Sequence, residues 1–171
     1  MNRSVKTIVK PVIQFAAIAA LIGIDHWLKN VAAVQLADGQ VHTLIKGFLG
    51  FCYAENTGAA FSMFSSSTTV LTVFTGIALI GGVLALALIK KKPLIYDICV
   101  PLIIAGGAGN QLDRLTRGYV IDYIHTLFID FPIFNFADCL ITCACFAVMI
   151  YLIYDLIKDR KKPPKEGAPN D

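Results

Sequence analysis

The sequence predicts a membrane protein, all-α in its spanning body: four transmembrane helices, both termini cytoplasmic, and a small extracytoplasmic β-sheet, in a single domain over residues 1–160. Three observations predict it. Of 171 residues 56% are hydrophobic and only 16% charged, whereas a soluble domain carries about a quarter charged residues. Four apolar stretches approach the roughly 20 helical residues that cross a hydrocarbon core. Acids and amides gather at one set of the helix ends, and cations at the other.

Taken in order, residues 11–28 form the first span, interrupted near its end by Asp25 and His26. An outer loop follows, residues 30–67, whose stretch 41–53 is rich in Val, Ile, Leu and Phe with Gly47 and Gly50 inserted, the composition of short strands and turns. Residues 68–89 form the second span, which has no charge in it. The third, 94–112, carries Asp97 near its start and Pro101 as an expected kink. A second outer segment, 118–134, has β-branched and aromatic character over 119–124 and 127–133. The fourth span, about 136–157, opens with Asp138. The tail, 161–171, is rich in Pro, Lys and Gly and is expected to be disordered.

Orientation follows from the cations. Arg3, Lys6, Lys10, Lys90, Lys91, Lys92, Lys158, Arg160, Lys161, Lys162 and Lys165 fall on one side of these spans. Lys29, Lys46, Arg114 and Arg117 fall on the other, so the termini face the cytoplasm. A cleaved leader is the competing reading of the first span, with Ala32 and Ala33 as a small-residue cleavage site. The acid and the cation at its end argue against it.

No basic patch suits nucleic acid. The five cysteines include no C-x-x-C pair, so a thiol oxidoreductase is disfavoured, and Cys139 and Cys143, one helical turn apart, read as small core residues. His26, His42 and His125 are scattered and form no H-E-x-x-H, so no metal and no cofactor are expected.

The informative cluster lies at the outer ends of the helices. Asp25 and Lys29 are spaced i, i+4; Asn110, Asp113 and Arg114 are i, i+3, i+4; Asn135 and Asp138 are i, i+3. Asn56 and Asp122 lie in the loops beside them. Ionisable groups at membrane depth are costly and mark function by default. Simpler readings stay open: a helix-end ion pair for Asp25 and Lys29, an N-cap for Asn135 with Asp138 in the first turn, and close helix packing for Gly106, Gly107 and Gly109. Asp122 is harder to explain so, because Val120, Ile121, Tyr123 and Ile124 surround it with apolar chain. Asp122 and Asp138 are therefore a candidate carboxylate pair. Two carboxylates in a low-dielectric site do not both ionise cheaply, so one keeps a proton and serves as acid while the other activates water. That is aspartic peptidase chemistry. The position of Asp138 at a helix start favours it as the ionised member.

At these residues the chain resembles the bacterial lipoprotein signal peptidases, also called signal peptidase II. The matching segments are Asp25-His26-Trp27-Leu28-Lys29, Asn56-Thr57-Gly58-Ala59-Ala60-Phe61, Gly106-Gly107-Ala108-Gly109-Asn110-Gln111-Leu112-Asp113-Arg114, Gly118-Tyr119-Val120-Ile121-Asp122-Tyr123 and Phe134-Asn135-Phe136-Ala137-Asp138. The resemblance implies an inner-membrane aspartic endopeptidase that cleaves a prolipoprotein just before its diacylglyceryl-modified cysteine. It implies Asp122 and Asp138 as the catalytic pair, with Asn110, Arg114 and Asn135 around it and Asp25, Lys29, Asn56 and Gly58 shaping or binding at the site; Asp113 joins these as a supporting residue. It further implies a four-helix fold with a β-cradle, an active site at the extracytoplasmic face, membrane lipid and lipidated precursors as partners, and inhibition by globomycin. A monomer is expected. His26, Leu28 and Tyr123 depart from the usual pattern at positions outside the pair. The alternatives from other classes are a proton-coupled transporter using Asp25, Asp122 and Asp138, for which no internal repeat is found, and a non-catalytic scaffold, which leaves the acid pair unexplained.

Overall fold

The computed structural model describes residues 3–58, 68–89 and 93–160. The tail from Lys161, the lysines at 90–92 and the Ala59-Ala60-Phe61 part of the second motif lie outside the described residues. Four helices, α1 (Arg3–Gln35), α2 (Thr68–Leu88), α3 (Leu94–Arg117) and α4 (Phe136–Arg160), are joined by strands β1 (His42–Ile45), β2 (Leu49–Asn56) and β3 (Val120–Thr126). Among the described residues three helices are long and apolar enough to cross a membrane: Val9–Gln35, Thr68–Leu88 and Phe136–Arg160. The molecule is mostly helical, an integral membrane protein carrying a small antiparallel sheet.

Its apolar residues face outward. Val12, Ile13, Phe74, Ile77, Ile80, Ile150 and Leu156 are all more than half exposed, while Asp25, Lys29, Asn110, Asp113, Asp122 and Asn135 are buried. Where the surroundings are hydrocarbon, apolar surface costs nothing and polar groups turn inward.

α3 is packed against α1, α2 and α4, and its glycines explain how. A Cβ on Gly106 would run into the Ala137 carbonyl oxygen of α4 and lie 2.8 Å from Ile141 Cγ1. One on Gly107 would meet Leu79 Cδ2 of α2 at 3.0 Å, and one on Gly109 would meet Asp25 Oδ2 of α1 at 2.5 Å. Each neighbouring helix is thus admitted by one glycine, the close approach that small residues allow. α3 runs to Arg117, past the expected end at 112, because Leu112 to Arg117 holds no breaker. Gly118 then stops it at φ 83°, its N–H bonded to the Arg114 carbonyl at 3.2 Å.

The first helix also outlasts its expected end at residue 28, continuing to Gln35. Ala32, which with Ala33 served as a cleavage site in the competing leader reading, is a buried helical core residue packed with Ile121 and Tyr123. The extra turns carry Ala32 and Ala33 against the sheet, flanked by Leu28 and by Leu36 in the turn that follows, and this packing keeps residues 29–35 helical. The sheet order is β1-β2-β3, all antiparallel. Gly47 at φ 70° turns the β1–β2 hairpin. β2 pairs with β3 so that Ala54 lies opposite Asp122 and Asn56 opposite Val120. Strand structure was expected over 127–133 as well, but only Phe134 bridges back, to Ile124. Pro132 interrupts that stretch, and it lacks the N–H a ladder needs.

Candidate functional site

Asp122 and Asp138 come to one place from different elements. β3 carries Asp122, and α4 carries Asp138 in its first turn. Both line a cavity of about 460 Å³ together with Asn56, Gly58, Asn110 and Arg114. Asn135 and Asp138 close the start of α4 reciprocally: Asn135 Oδ1 accepts from the Asp138 N–H at 3.0 Å, and Asp138 Oδ2 accepts from the Asn135 N–H at 3.1 Å. The simpler N-cap reading of Asn135 therefore holds, but it describes half of the side chain.

The other half points at Asp122. Because the Asn135 oxygen is taken by a backbone donor, its Nδ2 must donate elsewhere, and it reaches Asp122 Oδ1 at 2.6 Å and Asn110 Oδ1 at 3.1 Å. The same logic orients the other two amides. Lys29 has only protons to give, and its Nζ lies 2.8 Å from Asn110 Oδ1, so Asn110 Nδ2 donates to Asp138 Oδ1 at 2.8 Å. Asn56 Oδ1 accepts from the Gly58 N–H at 2.9 Å, which turns its Nδ2 onto Asp122 Oδ2, also at 2.9 Å. Each carboxylate is thus held by two donors. None of these amides is free to flip.

Beneath this layer Lys29, fully buried, meets Asp25 Oδ2 at 2.8 Å and Asp113 Oδ2 at 3.1 Å. Asp25 also accepts from the Ala137 N–H at 3.0 Å, and Asp113 from the Ile121 N–H at 3.3 Å. These carboxylates pin the start of α4 and the start of β3 to the helix pair beside them. Asp25 with Lys29 is therefore an ion pair, as the simpler reading has it, but it lies inside α1 and not at its end, which falls at Gln35; it is also the base on which the Asn110 amide rests. Arg114 lines the cavity, and its buried Nε has no hydrogen-bond partner among the described residues. Burial pushes Asp122 up to about 7, aided by the neighbouring Asp138 and opposed by the Asn56 and Asn135 donors.

All ten residues singled out from the sequence lie in this one network or on its cavity. Sequence reasoning missed three kinds of contributor. Cys139, Thr142 and Cys143 line the cavity on the face of α4 that begins with Asp138; the spacing i, i+1, i+4, i+5 was the available signal. Phe131, Pro132, Ile133 and Phe134 form another wall, in a segment expected to be strand. Arg117 lies 3.5 Å from Asp113 Oδ1 and donates to Asn30 Oδ1 at 2.6 Å; its i, i+4 spacing from Asp113 was the available signal.

Comparison with known proteins places the arrangement. A family model described as Signal peptidase (SPase) II matches residues 17–154. The chain is 36% identical over 158 residues to a lipoprotein signal peptidase of Enterococcus faecalis, covering 91% of this chain and 94% of the relative. It is 38% identical over 135 residues to that of Lactobacillus gasseri, covering 79% and 88%. A bacterial membrane enzyme solved by the in meso method at 2.3 Å resolution superposes with a TM-score of 0.80 at 29% identity, over 90% of this chain and 94% of that one. Sequence over most of its length, fold, and a polar network in which every motif takes part lead to one assignment: the chain belongs to the signal peptidase II family, a family of peptidases.

Proposed function

We propose that the protein is an aspartic endopeptidase of the bacterial inner membrane that removes the signal peptide of a prolipoprotein, cutting just before the diacylglyceryl-modified cysteine. One observation carries this reading: Asp122 and Asp138 border a single cavity, each held by amides whose orientation is fixed. Asp138, at the start of α4, is the ionised member and takes a proton from water. Asp122, raised toward neutrality by burial, is the protonated one. The water oxygen bonds to the scissile carbonyl carbon. As that intermediate collapses the C–N bond breaks, and the Asp122 proton passes to the leaving nitrogen. Arg114, whose Nε at the cavity has no hydrogen-bond partner among the described residues, is suited to hold a substrate carbonyl.

In this reading α3 is a fourth span. With 24 residues it has the necessary length, and its polar residues turn toward its three neighbours. The distribution of Lys and Arg puts both termini in the cytoplasm and the cavity at the extracytoplasmic face. The molecule acts as a monomer with one domain over residues 1–160. The substrate helix enters from the bilayer, and its two acyl chains stay in the outer leaflet before and after cleavage, so they position the peptide bond without selecting the transition state.

The test is cleavage of a lipidated precursor by purified protein in detergent. Asp122→Asn and Asp138→Asn should each lower turnover by at least about 10³-fold while remaining folded. Near-normal turnover by either variant rejects the pair. Complete loss in Asp113→Asn, with either of those two still active, would move the chemistry to a different carboxylate.

A further inference from the structure

We propose that Cys139 and Cys143 form a two-thiol site in the wall of the catalytic cavity, one that takes a trivalent organoarsenical and, when occupied, closes the cavity to peptide. Capture at the pair stands on the geometry alone; the blocking of cleavage rests on the reading above. Both residues are free cysteines, Cys139 half-buried and Cys143 exposed, and both line the cavity that holds Asp122 and Asp138. They stand i, i+4 on α4, where side chains lie one above the other with Cβ atoms about 5–6 Å apart. Rotation about χ1 of each cysteine brings two sulfurs from that spacing within the span of one arsenic atom. Thr142 lies between them on the same wall, and Cys139 follows Asp138 directly, so a ligand on the pair sits beside the catalytic carboxyl. A cavity of about 460 Å³ has room for a phenyl group.

The other thiols are placed differently. Cys52 and Cys99 are buried, Cys52 with its Sγ 3.8 Å from His125 Nδ1 across the sheet. Cys145 is exposed but lies about 200° around the helix from Cys143, away from the cavity wall. The chain therefore carries its own control for a lipid-facing thiol.

The chemistry balances without an oxidant or reductant. With phenylarsine oxide two As–S bonds form, the two thiol protons leave with the arsenic-bound oxygen as water, and arsenic stays trivalent. Bidentate capture is tighter than capture by one thiol, because the second bond forms at high effective concentration.

The experiment treats the purified full chain with phenylarsine oxide and follows two readouts, intact mass and cleavage of a lipidated precursor. The expected result is one phenylarsenic group per chain with loss of one water, and loss of cleavage relative to the untreated protein that dimercaptopropanol reverses. Cys139→Ala and Cys143→Ala should each weaken capture at least about tenfold, and Cys145→Ala should leave capture unchanged. Wild-type capture by either of the first two variants overturns the site. Capture without loss of cleavage overturns its place in the substrate path. The mass readout does not need the enzyme to turn over, so failure of the catalytic assignment, read in Asp122→Asn, is distinguishable from failure of the thiol pair.

Discussion

At the scale of single residues the two carboxylates differ because their surroundings differ. Asp122 sits in apolar chain on β3, and burial raises it to about 7; Asp138 sits at a helix start with a backbone N–H on one oxygen. With Asp122 as the acid, turnover should fall as pH rises through about 7, an apparent value that belongs to the pair. Stability moves in the same direction. The folded-state value lies above the ordinary 3.8, so the neutral carboxyl favours the fold. Its contribution is complete at acid pH and is lost as pH rises through about 7. Asp122→Asn should therefore lose less melting temperature than wild type between about pH 4 and pH 7; an equal decline in both would show that Asp122 is not the group responsible. A second prediction separates the two jobs of Asn135. Serine is as good an N-cap but too short to reach Asp122. Asn135→Ser should keep its thermal stability within about 1 kcal/mol and lose up to about 10-fold in turnover, the worth of a hydrogen bond to a neutral carboxyl. Loss of stability together with intact turnover would make Asn135 a cap only.

At the scale of elements the glycines of α3 set the helix spacing. Replacing a mid-helix glycine by alanine gains about 1 kcal/mol in propensity where space is open, and overpacking costs about 1–3 kcal/mol where it is not. Gly81 of α2 has nothing within 4 Å of an added Cβ, so Gly81→Ala should be neutral or mildly stabilising in a detergent melt. Gly109→Ala places its methyl 2.5 Å from Asp25 Oδ2, pushing that carboxylate off Lys29, and should lower the melting temperature and turnover together. Equal melts for the two variants would contradict this packing account. The spans at 68–89 and 136–157 were legible as elements because apolar composition and length decide them locally. The ends of α1 and α3 were not. Residues 29–35 stay helical through contacts with Ile121 and Tyr123, about ninety positions further on, and 127–133 misled because its aromatic composition suits a cavity wall as well as a strand.

At the scale of the whole molecule the buried trio of Asp25, Lys29 and Asp113 ties the parts together. It links α1 to α3, and through the Ala137 and Ile121 backbone it reaches α4 and β3. Breaking a buried pair by removing one partner costs about 3–5 kcal/mol, since the other charges stay behind uncompensated. Lys29→Met should lose about that much stability in detergent, and denaturant unfolding measures it; a loss below about 1 kcal/mol would mean that the trio is solvated and not structural. Taken by itself, the sequence determined the membrane character, the presence of a small sheet and the family, and it pointed to nine polar residues and Gly58 as one candidate site, because these follow from composition, from local periodicity and from residue types at fixed spacing. Only the tertiary structure decided that Asn56, Asn110 and Asn135 all turn their NH₂ groups to the two aspartates, that Lys29 fixes one of them from below, and that two thiols share the cavity wall. Those facts depend on how each helix is rotated about its axis and how β3 is seated over the end of α1, and such angles are set by packing between segments far apart in the chain.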